Sequence, residues 1–108
     1  MILLFDQGTP LPLRMHLSDH TVVSAFEKGW NELENGELLA VAEAEGFDVL
    51  ITTDQNLRYQ QNLAERRIAV VVLLTTNWPR IERNIPFVLD AISNVSVGTY
   101  QEVFFPDN

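Results

Sequence analysis

The sequence predicts an α/β fold: a three-layer α/β/α sandwich around a mostly parallel sheet. Three observations carry this. Short apolar runs such as Ile2 to Phe5 and Ile68 to Leu74 are continuous rather than alternating, the mark of strands covered on both faces. Segments with helical spacing or helix-end signals fall between those runs, giving a βαβαβαβαβ order. The chain is 108 residues long, which suits one domain spanning residues 1–108 with a modest core.

Taken in order, Ile2 to Phe5 is the first strand and ends at Asp6. Gln7-Gly8-Thr9-Pro10 is a turn, and Leu11 to Leu17 a short helix closed by Ser18-Asp19. His20 to Ala25, with β-branched Thr21, Val22 and Val23, is the second strand, and Phe26 to Trp30 is one helical turn. Asn35 to Gly46 is the clearest helix: Asn35 suits the N-cap, Glu37 the positive end of the helix dipole, and Gly46 the C-terminal stop. Phe47 to Ile51 is the third strand, leading into Thr52-Thr53-Asp54. Gln55 to Arg67 is polar and helical in part. Ile68 to Leu74 is a buried central strand, followed by a loop over residues 75–79. Ile81, Ile85, Val88, Leu89, Ile92 and Val95 keep helical spacing, and Pro86 divides that helix in two. Gly98 closes it, and Tyr100 to Phe105 is a last, edge strand.

Composition narrows the function. Cysteine is absent, which removes disulfides, thiolate metal sites and cysteine nucleophiles. Acids outnumber bases 15 to 7, for a net charge of −8, so a strongly basic nucleic-acid module is excluded. No apolar run approaches the ~20 residues of a membrane helix. The start, Met1 to Asp6, has no basic segment of the signal-peptide kind, so a cytoplasmic location is expected. The excess charge is confined to one half. Residues 1–54 hold 10 acids and 2 bases, whereas residues 55–108 hold 5 of each.

In a parallel α/β sheet the strand C-termini share one edge, and ligands bind there near a topological switch point. Asp6 follows the first strand and Asp54 the third, and Glu37 lies in the first turn of a helix whose start faces the same edge. Three converging carboxylates repel unless a cation sits among them. Oxygen ligands suit Mg²⁺ or Mn²⁺, which activates water and clamps a phosphodiester. Two of the acids also have an ordinary role to weigh, Asp54 as an N-cap and Glu37 as a helix-dipole acid, whereas Asp6 at the end of a buried strand needs partners or a cation. Gln7, Asn35, Asn56, Arg58 and Asn62 belong to the same region as candidate substrate contacts. Arg66 and Arg67, a little further on, are candidates for phosphate. His16 and His20 are four residues apart, but Ser18-Asp19 between them breaks the helix that would align them. The glycines are isolated, so there is no phosphate-binding glycine loop, and Trp30 and Trp78 read as packing residues. A receiver-like acidic pocket needs a lysine, and the only one is Lys28.

Several blocks resemble a small PIN-like family, many of whose members are grouped with toxin–antitoxin systems. They are Leu3-Leu4-Phe5-Asp6-Gln7-Gly8-Thr9-Pro10, Gly29-Trp30, Asn35-Gly36-Glu37-Leu38-Leu39, the run from Gly46 to Leu57, and Tyr59-Gln60-Gln61-Asn62-Leu63. The Ile68 to Leu74 run and Trp78-Pro79 also fit, so the resemblance covers roughly residues 2–80. It implies a PIN-like sandwich and a Mg²⁺- or Mn²⁺-dependent endoribonuclease, with RNA as substrate and an antitoxin protein as partner; the modest core separately allows a second copy of the chain as partner. Asp6 and Asp54, the latter in a Thr-x-Asp setting, match the family's acids after the first and a later strand. Related sequences often open the central helix with a Ser-Asp-Glu-Glu-like stretch. Here Glu34-Asn35-Gly36-Glu37 stands there, with an amide where an aspartate is usual, so Glu37 is the candidate helix acid. No fourth acid is assigned. That thinner acid set keeps a second expectation open: a catalytically weak or inactive PIN-like module acting through protein–protein contact.

Overall fold

A computed structural model describes residues 1–57 and 62–106. Five strands, β1 (Ile2–Phe5), β2 (Thr21–Ser24), β3 (Val49–Thr52), β4 (Ala69–Leu73) and β5 (Tyr100–Val103), form one sheet in the order β2-β1-β3-β4-β5. Every pairing is parallel, so "mostly parallel" becomes wholly parallel. β3 and β4 are buried along their whole length, as their unbroken apolar sequence requires.

Alternate residues of each central strand serve two cores. Leu3, Phe5, Val49, Ile51, Val71 and Leu73 face one layer. It is made by a 3₁₀ helix, η1 (Leu11–His16), and two α-helices, α2 (Trp78–Glu82) and α3 (Ile85–Ser93). Leu4, Leu50, Val70 and Val72 face the other, made by α1 (Asn35–Ala44) with Leu57 and Leu63, the latter opening a 3₁₀ turn, η2 (Leu63–Glu65). The β1-to-β2 and β4-to-β5 connections thus lie on the same face while stepping in opposite directions across the sheet. They therefore have opposite hands. The β2-to-β3 and β3-to-β4 connections, on the other face, share the hand of β1-to-β2, so β4-to-β5 is the one exception to a uniform crossover rule.

Several boundaries differ from expectation for local reasons. β2 is two residues shorter, because His20 and Ala25 lie just outside the Thr21–Ser24 pairing with β1. Phe26 to Trp30 forms hydrogen-bonded turns rather than a helical turn, since Gly29 adopts φ +77°. α1 is capped by Glu34, not Asn35. Glu34 and Glu37 make a capping box, with the Glu34 N–H donating to Glu37 Oε1 at 3.4 Å, and Asn35 becomes the first helical residue. Gly46 ends α1 at φ +85°, as expected. The expected loop over residues 75–79 is cut short because Asn77 Oδ1 accepts the Arg80 N–H at 3.0 Å and starts α2 at Trp78. Pro86 stands in the first turn of α3 and the helix is divided there as expected. No helix among the described residues is long and apolar enough to cross a membrane.

The chain leaves β1 outward to β2, then crosses back past β1 to β3. The reversal puts a switch point between β1 and β3, at the edge where both strands end. Asp6 and Asp54 follow those two strands.

Candidate functional site

The site begins where the β1–β3 ladder stops. The Asp6 N–H donates to Ile51 O at 3.2 Å, which continues the ladder one residue past Phe5. The chain then turns back, with the Thr9 N–H donating to Asp6 O at 3.2 Å. This turn folds the Asp6 carboxylate over the end of β3. Thr52, fully buried at the last position of β3, donates its hydroxyl to Asp6 Oδ2. The same Thr52 oxygen accepts the Asp54 N–H at 3.0 Å. One hydroxyl thereby links the two acids.

The Thr9 hydroxyl lies 2.7 Å from Asp6 Oδ1 and 2.8 Å from Ile51 O. It has one proton for two acceptors. Burial pushes the Asp6 carboxyl above its ordinary value, and the Thr52 and Thr9 hydroxyls and the Gly8 and Thr9 amides only partly counter it. Each of those donors is neutral.

Asp54 is held differently. Its Oδ1 accepts the Asn56 N–H at 2.9 Å, and its Oδ2 accepts from Asn35 Nδ2 at 2.6 Å. Asn35 reaches it because the start of α1 faces the strand C-termini. The structure therefore brings Asp6, Thr52, Asp54 and Asn35 together. Glu37, two residues into the helix from Asn35, is exposed and turns its carboxylate back onto the cap. Among the described residues no group of three His, Cys, Asp or Glu side chains is placed to hold a metal ion.

Gln7 is exposed in the turn after Asp6. Asn56 is exposed and serves Asp54 through its backbone. Asn62 is exposed just before η2, and Arg58 lies outside the described residues. Thr9 escaped the sequence reading. Its signal is an acid followed three residues later by a hydroxyl within a glycine-containing turn. Gly8 is fitted tightly there, since a Cβ at that position would come within 2.7 Å of Thr53 Oγ1.

Arg66 and Arg67 are a correction. Arg66 Nη1 lies 2.9 Å from Glu43 Oε1, and the Arg67 N–H donates to Glu43 Oε2 at 2.8 Å. They precede β4, so they stand at the opposite edge of the sheet, where Arg67, Glu43 and Asp48 line a cleft of about 440 Å³. The histidines part as expected: His16 packs on Trp78, and His20 lies beside the N-terminal amine. Trp30 packs on Phe47.

Two carboxylates among hydroxyl and amide groups suit a hard divalent cation, which takes one or two carboxylates and completes its shell with water and phosphate. A half-buried carboxylate whose hydrogen-bond donors among the described residues are all neutral is a group that a cation would relieve. By fold and site, this is a parallel α/β protein with a paired-acid switch point. No protein-family model matches the chain, and no curated protein or solved structure matches it either.

Proposed function

We propose that the chain is a PIN-like, Mg²⁺- or Mn²⁺-dependent endoribonuclease of the cytoplasm, of the kind paired with an antitoxin protein. The observation that carries this is the Asp6–Thr52–Asp54 linkage at the β1/β3 switch point. Asp6 and Asp54 would hold the cation, which supplies Lewis-acid polarisation and neutralises charge at a phosphodiester. Thr52 and Thr9 orient Asp6, and Gln7 and Asn56 are exposed close to the two acids in the chain. The net charge of −8 disfavours binding of bare RNA and makes contact depend on the cation.

RNA cleavage in Mg²⁺ or Mn²⁺ tests this by comparing the wild type with Asp6→Asn and Asp54→Asn. Both substitutions are expected to reduce cleavage to background. Equal activity in all three proteins would sink the proposal.

The position of Glu37 on the helix cap favours one alternative: a non-catalytic PIN-like module that binds a protein partner or a second copy of itself. Calorimetric titration with Mn²⁺ separates the two, since this module shows no binding that depends on Asp6 and Asp54.

A further inference from the structure

We infer that Asn35 is a positioning residue: its side-chain amide fixes the Asp54 carboxylate for cation binding, and its neutrality keeps the site to two carboxylates. This rests on the proposal that Asp6 and Asp54 hold the cation. Asn35 Nδ2 lies 2.6 Å from Asp54 Oδ2, while Asp54 Oδ1 takes the Asn56 N–H. The carboxylate is thus gripped on both oxygens, one from α1 and one from its own turn. Asn35 is the first residue of α1, so its backbone is set by the helix and its reach to Asp54 is short. The Glu34–Glu37 capping box serves the helix end, so the N-cap role that asparagine usually fills falls to Glu34 and not to residue 35.

An aspartate has nearly the same shape as an asparagine. At position 35 it would set one carboxylate against another where a neutral donor now sits. Without a divalent cation that repulsion destabilises the fold. With one, a third carboxylate strengthens binding, because ligand charge count tunes affinity for hard cations. Asn35→Ala instead leaves the site charge unchanged and removes the grip on Asp54.

Mn²⁺ alone is the probe, with the whole chain, using calorimetry for affinity and thermal melting with and without the ion. The wild type is expected to bind Mn²⁺ and Asp54→Asn to lose that binding. Asn35→Ala should weaken binding by about tenfold or more, the usual cost of losing a group that orients a ligand. Asn35→Asp should melt lower than the wild type without Mn²⁺, bind Mn²⁺ more tightly, and gain more melting temperature from it. A purely structural role at the helix start would lower both melting temperatures and leave Mn²⁺ affinity unmoved. Equal changes in the two variants, or none, alongside Asp54-dependent binding in the wild type, overturn the role of Asn35 and spare the cation site. A wild type without Asp54-dependent Mn²⁺ binding overturns both.

Discussion

The two edges of the sheet treat their acids in opposite ways. Where the strands begin, Asp48 Oδ2 accepts the Ile2 N–H at 2.7 Å, and Glu43 accepts from the Arg66 guanidinium and the Arg67 amide. Burial pushes the Glu43 carboxyl up, but the Arg67 amide and the Arg66 and Arg67 charges outweigh it, and the net shift is downward. Where the strands end, Asp6 is also half-buried, yet its partners are neutral hydroxyls and amides, and the net shift is upward. One edge uses acids to fasten α1 to the chain entering β4. The other holds an acid at a cost in stability that the fold does not recover. A carboxylate kept under those terms points to a role outside folding, which is why the strand C-termini, and not the cleft at the opposite edge, carry the functional proposal.

The largest expected effect comes from Thr52, because its hydroxyl serves both acids. Thr52→Val keeps the shape and removes the hydroxyl, so Asp6 Oδ2 loses a donor and the Asp54 N–H loses its acceptor in a fully buried position. Denaturant unfolding should show a loss of about 2–3 kcal/mol. RNA cleavage should fall with it, whereas Thr52→Ser should retain cleavage. At the other edge, Glu43→Ala should cost about 1–2 kcal/mol, since its side chain is only 13% exposed and loses charge-assisted bonds. Cleavage per folded molecule should not change. A Glu43→Ala protein that folds normally but fails to cleave would break the contrast between the edges.

How much of this was legible depended on whether a feature was set locally or by the crossing of the chain. β1 and β4 read directly, because burial on both faces leaves no polar position in the strand. Asp6 and Asp54 read as acids following such strands. The choice between Glu37 and Asn35 did not, because sequence ranks them by charge, while the structure turns on which helical position faces Asp54. The first position meets it, and the third is drawn back to the cap. Arg66 and Arg67 misled through linear proximity. Between Asp54 and Ala69 the chain returns from the strand ends to the strand beginnings, so a dozen residues carry them to the opposite edge.

Gly8→Ala probes the turn that sets Asp6. The added methyl would press on Thr53 Oγ1 at 2.7 Å, and the expected cost is about 1–2 kcal/mol, with reduced cleavage through a displaced Asp6 turn. Wild-type stability and cleavage in this variant would show that the turn is looser than its packing indicates.

The smallest effect has the opposite sign. Asp6→Asn replaces a carboxylate with an amide that can accept from Thr52 and donate to Thr9, freeing the Thr9 proton for Ile51 O. It removes cleavage yet should leave stability at neutral pH equal or slightly raised, by less than about 1 kcal/mol. The pH dependence carries the sign. The Asp6 carboxyl is raised in the folded state, so its stabilising contribution is complete below its unfolded value and is lost as pH rises through the folded one. Glu43 is lowered, so its contribution is present above its unfolded value and is lost as pH falls through the folded one. Melting temperatures followed from about pH 3 to about pH 7 should therefore show a shallower acid-side loss in Glu43→Gln. In Asp6→Asn the wild type's loss of stability on Asp6 ionisation should disappear. An Asp6→Asn protein that melts well below the wild type at pH 7 would place Asp6 with Glu43 among the acids that hold the fold.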